Sequence, residues 1–250
     1  MTAARINNAF YDELGERWYE DDGHPVALLR AETRERLAYA ETVFQTLGSG
    51  PARILDLGCG GGLMTIPLAR DGRAIKGVDL SEGSLAVARS RAPEGLNIEF
   101  EKGDIYRLDE PSGAYDAVLM MDVLEHLERP GAALQEAARV LRPGGVLIFH
   151  TFNRTLFSYL LAVKAIELFS RDAPRNMHLY RLFIKPAELE RMCADAALRI
   201  RETRGIRPRF LSKAFCWTLL RRRVHPDFAF TRARSLLVGY MGYAVKYGDG

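Results

Sequence analysis

Arg53-Ile54-Leu55-Asp56-Leu57-Gly58-Cys59-Gly60-Gly61-Gly62-Leu63 is the stretch that decides the fold. Ile54, Leu55 and Leu57 surround a single acid, Asp56, and read as a short buried strand ending in a carboxylate. Gly58, Gly60, Gly61 and Gly62 let the backbone turn sharply and let a ligand approach without meeting a Cβ. Leu63 to Arg70 follows as a helix whose first N–H groups point at that ligand. A βα turn of this kind is where doubly wound folds hold nucleotides and adenosine-containing cofactors.

The acid before the glycines selects among those cofactors. Leu63 occupies the last glycine position of the dinucleotide fingerprint G-x-G-x-x-G, so that motif is only partly met. Asp56 would repel a pyrophosphate and attract an ammonium. S-adenosylmethionine carries an ammonium and a sulfonium and no phosphate. About 20 residues further on, Gly77-Val78-Asp79 is a strand ending in a second carboxylate, placed to grip two ribose hydroxyls. Acid, turn and second acid together favour the methyl donor over a nicotinamide cofactor. Gly58, Gly60, Asp56, Asp79 and Leu80 are therefore cofactor candidates.

Outward from this turn, strand and helix alternate. Ala74 to Val78 is a second strand, Ser81 caps a helix from Glu82 to Arg91, and Asn97 to Glu101 is a third strand. Asp104, followed by Ile105, stands on the loop after it. That carboxylate can accept from an adenine amino group, or it is a turn acid. Tyr115 to Met121 is a fourth, almost wholly apolar strand. Ala132 to Leu141 is helical, Arg142-Pro143-Gly144-Gly145 is a turn, and Val146 to Thr151 is a fifth strand. With Leu198 to Ile206 and Ser235 to Val245 added, the expected fold class is α/β. It is a Rossmann-like, doubly wound, mainly parallel seven-stranded sheet with helices on both faces, an N-terminal helical cap and an inserted helical lid.

A chain of 250 residues fits a single domain of this class. It divides into a cap (1–50), a cofactor core (51–152), an insertion (153–185) and a C-terminal part (186–250). A hydrophobic content of 48% excludes a disordered chain, and a net charge of +3 does not point to nucleic acid. Cys59, Cys193 and Cys216 have neither metal spacing nor even pairing, which suggests reduced thiols in a cytoplasmic setting. The first residues lack the apolar run of a signal peptide, and no run is long enough to span a bilayer.

In the cap, Ile6 to Trp18 and Leu28 to Phe44 have helical spacing. They either cover the cofactor or pack on the sheet edge. Arg30, Arg34 and Arg36 offer a cation to the donor's carboxylate, or lie on a solvated face. After the fourth strand, Asp122, Glu125 and His126 share one face if a helical turn begins there. Two carboxylates and an imidazole can hold a divalent cation such as magnesium, deprotonate a substrate hydroxyl, or merely bond the backbone. Asn153 and Arg154 follow the fifth strand, where ligands bind in such sheets. Thr155 to Phe169 is a helix apolar over most of its surface. Arg171 to Arg181 is loop-like, and carries His178 and Tyr180 as further acceptor-binding candidates. This segment, 155–181, is either a lid or membrane contact or plain core. Pro186 to Ala196 is helical. The tail from Arg207 interleaves basic and aromatic residues, a pattern compatible with single-stranded nucleic acid, with anionic lipid, or with a solvated face over inward-turned aromatics.

LDLGCGGG, GVDLS, YDAVLMMDVLEHL, LRPGG and TFNRTLFSYLLAV with FIKPAEL resemble the class I methyltransferases that O-methylate polyprenyl phenols and catechols in ubiquinone biosynthesis. The first four motifs belong to the wider superfamily; the last pair is more specific. By that resemblance Arg36, Gly58, Asp79 and Met121 fall on methyl-donor contacts. Asp122, Glu125 and His126 fall on an E-x-x-E-H pattern implicated in divalent-metal binding, with Asp in place of the first Glu. The implied reaction is transfer of a methyl group from the sulfonium to a phenolate oxygen of a small phenolic or lipid-like acceptor. Another small acceptor (a natural-product phenol, a sugar or an amine) is the alternative within enzymes. A module that binds the donor without transfer and docks RNA or lipid is the alternative outside them.

Overall fold

The structure, a computed structural model, describes residues 9–46, 50–70, 72–165 and 177–248. Eight strands form one sheet among these residues: β1 (Arg53–Leu57), β2 (Ala74–Asp79), β3 (Ile98–Lys102), β4 (Tyr115–Met121), β5 (Leu141–Phe152), β6 (Leu198–Pro208), β7 (Phe230–Ala233) and β8 (Gly239–Lys246). Their spatial order is β3-β2-β1-β4-β5-β8-β6-β7. The pairs β1–β2, β1–β4, β2–β3 and β4–β5 are parallel, whereas β8 runs antiparallel to both β5 and β6. Strand order reverses between β1 and β4, so the crevice outside their carboxyl ends is the ligand position of such sheets.

The near-continuous apolar runs have a simple cause. Successive side chains of a strand point to opposite faces, and here both faces are covered. Leu55, Val118 and Leu147 pack on one side with Leu134, Ala137 and Leu189 from the helices Pro130–Val140 and Pro186–Asp195. Ile54, Leu119 and Ile148 pack on the other with Tyr39, Val43 and Phe44 from the helix Val26–Thr46.

Several sequence expectations are corrected. Seven strands were expected; the tail contributes an eighth, β7, paired antiparallel with the end of β6. The single helix expected over Ile6–Trp18 is a 3-10 turn at Ala9–Glu13 and a short helix at Arg17–Glu20, interrupted at Gly15, which has φ 49°; Ile6 to Asn8 lie outside the described residues. The helix after the glycine turn is only Thr65–Leu68, because Gly58, Gly60 and Gly62 all have positive φ and prolong the turn. The turn read at Arg142–Gly145 is an irregular start of β5, where Leu141 pairs with Tyr115 but Val146 with Ala117. Ser235 to Val238 precede β8 rather than belonging to it. Thr155 caps a helix Leu156–Tyr159 that continues as a π-helix, Leu160–Ala165, while Ile166, Phe169 and Arg171 to Asn176 lie outside the described residues. The tail also holds a helix, Lys213–Arg221, capped by Ser212, which sequence periodicity did not single out.

Candidate functional site

The tips of β1, β2, β4 and β5 converge on one cavity of about 610 Å³, a volume ordinary for a small-molecule site. Its floor is the glycine turn. Gly58 has φ 75°, and a Cβ there would meet Val123 at 2.8 Å. Gly60 has φ 52°, and its Cβ would run into the Trp18 ring at 2.6 Å. Trp18 thus lies on the turn, and its indole N–H donates to Ser84 Oγ at 3.2 Å. The cap is shared between the cavity and the sheet, and its long helix packs on the face of the central strands rather than on the sheet edge. Phe10, Tyr11 and Trp18 line the cavity, while the far half of the helix Val26–Thr46 packs on the sheet.

Asp56 is buried and accepts from Thr65 Oγ1 at 2.6 Å. Burial pushes its carboxyl up to about 6, the Thr65 bond opposes this, and the nearby Asp79 adds to it. Asp79 is fixed by backbone: Oδ2 accepts from Gly60 N–H at 2.8 Å and Oδ1 from Ser81 N–H at 2.9 Å. Burial raises this carboxyl as well, against those hydrogen bonds. Both acids line the cavity, as do Arg36, Gly58, Gly60, Leu80, Ile105 and Met121. Asp104 does not. It is exposed, and its Oδ1 accepts from Tyr106 N–H at 2.9 Å, as a turn acid does.

The expected trio Asp122, Glu125 and His126 is divided between two clusters. Asp122 adopts φ 54°, in the left-handed region that Asp tolerates, and so leaves the face shared by the other two. Its carboxylate pairs with Arg36 and with His150 Nδ1. Arg36 also bonds Glu32 Oε2 at 2.7 Å, and His150 Nε2 lies 3.4 Å from Glu32 Oε1. Burial would raise the Asp122 carboxyl, but Arg36 and then His150 outweigh it and hold it well below the usual range. Burial raises Glu32 despite the same guanidinium. Of the three arginines offered to the donor, Arg36 alone enters the cavity lining; Arg30 pairs with Asp22, and Arg34 donates to the Phe228 carbonyl.

The second cluster is Glu125, His126 and His178, whose ligand atoms lie within 4.8 Å of one another. Glu125 is fully buried and takes a hydrogen bond from Thr151 Oγ1 at 2.8 Å, while its Oε1 has no hydrogen-bond partner. Burial, then the Asp122 charge, push its carboxyl well above the usual range. Burial and then His178 bring His126 down to about 3, so it is a neutral imidazole. His178 is likewise lowered by burial. Its Nδ1 donates to the Ala162 carbonyl at 3.1 Å, which assigns the proton to Nδ1 and leaves Nε2 an acceptor. The His126 ring lies 5.3 Å from that of His178 and 5.9 Å from that of Tyr11. A carboxylate and two imidazoles suit a borderline divalent ion better than magnesium, which prefers oxygen. The orphaned Oε1 of Glu125 gives such an ion a ligand; Asp122 belongs to a second candidate group with Glu32 and His150, where the Arg36 guanidinium already supplies a cation.

Among the acceptor candidates only His178 lines the cavity. Asn153 Nδ2 donates to the Leu236 carbonyl at 2.7 Å, Arg154 pairs with Glu188, and Tyr180 packs on Tyr159 and Phe183. Sequence reasoning missed Glu32, His150 and the tail residues Phe215, Leu219 and Phe228. Glu32 stands four residues before Arg36, a pairing visible in principle. His150 was visible as the one imidazole in the apolar run of β5. The tail residues extend the cavity away from the glycine turn, between the helices Val26–Thr46 and Lys213–Arg221.

Residues 55–149 match a family model described as a methyltransferase domain. The ubiquinone biosynthesis O-methyltransferase of Nitrosococcus oceani is 35% identical over 218 residues, covering 82% of this chain and 89% of that one. The protein of the same name from Thiobacillus denitrificans is 37% identical over 218 residues, covering 86% and 91%. Among solved structures, the magnesium protoporphyrin IX methyltransferase of Synechocystis PCC 6803 with bound SAH superposes with a TM-score of 0.62. It is 22% identical, with 96% of this chain and 95% of that one covered, a likeness of fold.

Proposed function

The chain belongs to the ubiquinone-biosynthesis O-methyltransferases, S-adenosylmethionine-dependent enzymes of Rossmann-like fold, and from that premise we propose how its residues divide the work and which acceptor they take. The observation that carries the reading is the single cavity joining Asp56 and Asp79 to the imidazole pair and running on to Phe215 and Phe228. Asp79 takes the two ribose hydroxyls on the lone pairs its backbone bonds leave over. Asp56 takes the donor's ammonium. Arg36, held between Glu32 and Asp122, faces the donor's carboxylate. Gly58 and Gly60 admit the nucleoside, with Leu80, Ile105 and Met121 around the adenosine. The acceptor is a catechol or phenol with an apolar, polyprenyl-like tail, its ring beside His126 and His178 and its tail along the aromatic residues of the C-terminal segment.

The sulfonium is already an excellent leaving group, so the protein's work is orientation, exclusion of water and removal of one proton. An unperturbed phenol titrates near 10 and is almost wholly protonated at neutral pH. His178 Nε2 accepts that proton. The Ala162 carbonyl stabilises the resulting imidazolium through Nδ1–H, and the Asp122 carboxylate favours it electrostatically. His126, driven low by burial and by His178, stays neutral and orients the hydroxyl. The phenolate oxygen then attacks the methyl carbon in line with the departing sulfur. A divalent cation held by Glu125, His126 and His178 would, when bound, lower the acceptor's pKa.

No described helix is long and apolar enough to cross a membrane. Exposed Leu156, Phe157 and Leu160 support peripheral membrane contact of the 155–181 segment, in keeping with a lipid-like acceptor. The test is methyl transfer from labelled donor across catechols and phenols of increasing prenyl length. Turnover efficiency that rises with tail length supports the acceptor. Indifference to the tail would return the choice to a soluble phenol, sugar or amine.

A further inference from the structure

The helix Lys213–Arg221 is turned the wrong way round for a soluble protein. An amphipathic surface helix buries its large apolar side chains. Here the residues buried against the protein are the small Ala214 and Thr218, with Phe215 half-buried. The large ones face out: Trp217 is 39% exposed, Leu219 56% and Leu220 84%. Leu211, just before the cap, is fully exposed.

The charge along this stretch is predominantly positive. Between Glu202 and Asp227 the chain carries seven arginines and lysines and no acid. Lys213 at one end of the helix and Arg221, Arg222 and Arg223 at the other are all exposed. Asp22, which lines a shallow pocket with Trp217, Arg221 and Arg223, is held by Arg30 at 2.7 Å, and the exposed Asp227 lies 3.9 Å from His225. A greasy stripe with a tryptophan and flanking cations matches the boundary between headgroups and acyl chains of an anionic bilayer. Three exposed leucines beside a single tryptophan give successive nucleic-acid bases too few stacking platforms, and a second copy of so basic a face would repel the first.

The position of the helix gives the match a use. Phe215, Leu219 and Arg222 line the cavity, and Leu219 is more than half exposed, so the cavity opens beside this face. We propose that the helix Lys213–Arg221, with Arg222 and Arg223, is a docking surface for an anionic lipid bilayer that sets this opening against the membrane. A long-tailed acceptor then passes from the acyl layer into the site without crossing water. The docking itself needs neither donor nor acceptor; only the purpose of the opening rests on the acceptor reading above.

The full chain is mixed with vesicles of phosphatidylcholine alone and of phosphatidylcholine with phosphatidylglycerol, and the bound fraction is read by co-sedimentation at low and raised salt. Tryptophan emission reports the same event, since Trp18 is buried and Trp217 is the exposed member of the pair. The expected result is salt-sensitive binding to the anionic vesicles with a blue shift. Arg221→Ser and Arg223→Ser should each weaken it about fivefold, the equivalent of about 1 kcal/mol per basic residue. Leu220→Ser should abolish the blue shift. None of the three lines the cavity, so turnover of a short soluble catechol certifies that each variant is folded. The proposal is overturned if the wild-type chain stays in the supernatant, if the variants bind as well as it does, or if light scattering shows a dimer that Leu220→Ser dissociates. Tail-length preference measured in detergent separates the two readings. Its survival without vesicle binding removes the docking surface alone, and its absence beside intact binding removes the acceptor alone.

Discussion

Asp56→Asn exchanges stability against donor binding, and both sides of that exchange follow from one buried carboxyl. Burial moves the Asp56 carboxyl from its usual 3.8 to about 6, with Asp79 contributing. Between those values the folded chain holds a proton that the unfolded chain has released. Stability therefore falls as pH rises through this window, and the full cost of about 3 kcal/mol is present above it. Below about pH 4 both states are protonated and the difference vanishes. An asparagine keeps an oxygen for the Thr65 hydroxyl and never ionises. Asp56→Asn should thus be more stable than wild type at pH 7 by up to about 3 kcal/mol, and equal to it near pH 4. Urea unfolding at several pH values measures this. On the proposed assignment the same substitution deletes a charged acceptor for the donor's ammonium, and should cost about 1.5–3 kcal/mol, or roughly ten- to a hundredfold in Kd by calorimetry. Wild-type affinity for the donor should also decline as pH drops through about 6, as the carboxylate is protonated. A variant that binds the donor as tightly as wild type, or whose stability advantage does not shrink towards pH 4, would refute the reasoning.

Asp79→Ala should cost about 1–3 kcal/mol of donor affinity by calorimetry, because two ribose hydroxyls lose a buried partner; unchanged affinity would remove Asp79 from the site. His178→Ala and His126→Ala should lower kcat far more than donor affinity, His178→Ala by about 10²–10⁴-fold. Equal losses in turnover and donor affinity would make these residues purely structural. Phe215→Ala should lower kcat/KM for long-tailed acceptors at least about tenfold while leaving tail-free catechols alone, since burying such a side chain against a tail is worth about 1.5–3 kcal/mol. If added divalent ions raise turnover of metal-stripped enzyme, Glu125→Gln should abolish the response, whereas Asp122→Asn should weaken donor binding through Arg36 and keep it; the opposite pattern would restore the cation to Asp122.

The centre of the fold was legible because it obeys local rules. Ile54, Leu55 and Leu57 could only be a strand buried on both faces, and Gly58 and Gly60 sit at positive φ against Val123 and Trp18. Asp79, read as the acid at the end of the second strand, ends β2 and lines the cavity. The failures have other causes. Asp122 was placed by helical spacing, but its left-handed backbone turns it to Arg36 and His150, and one residue's φ is not written in a periodicity. Asp104 and Asn153 carry the right chemistry but spend it on Tyr106 and Leu236 backbone, a choice made by tertiary structure. The helix Lys213–Arg221 was hidden because its pattern is inverted: the sequence rule assumes that large apolar residues face the core, and Leu220 does not.

A crystal structure with S-adenosylhomocysteine and a prenylated catechol tests most directly whether one cavity serves donor and acceptor. The account predicts the ribose on Asp79, the amino group at Asp56, the catechol oxygen at His178 Nε2 and the prenyl chain along Phe215 towards Leu219. A catechol lodged outside the cavity, or a nucleoside turned so that its ribose leaves Asp79, would contradict it.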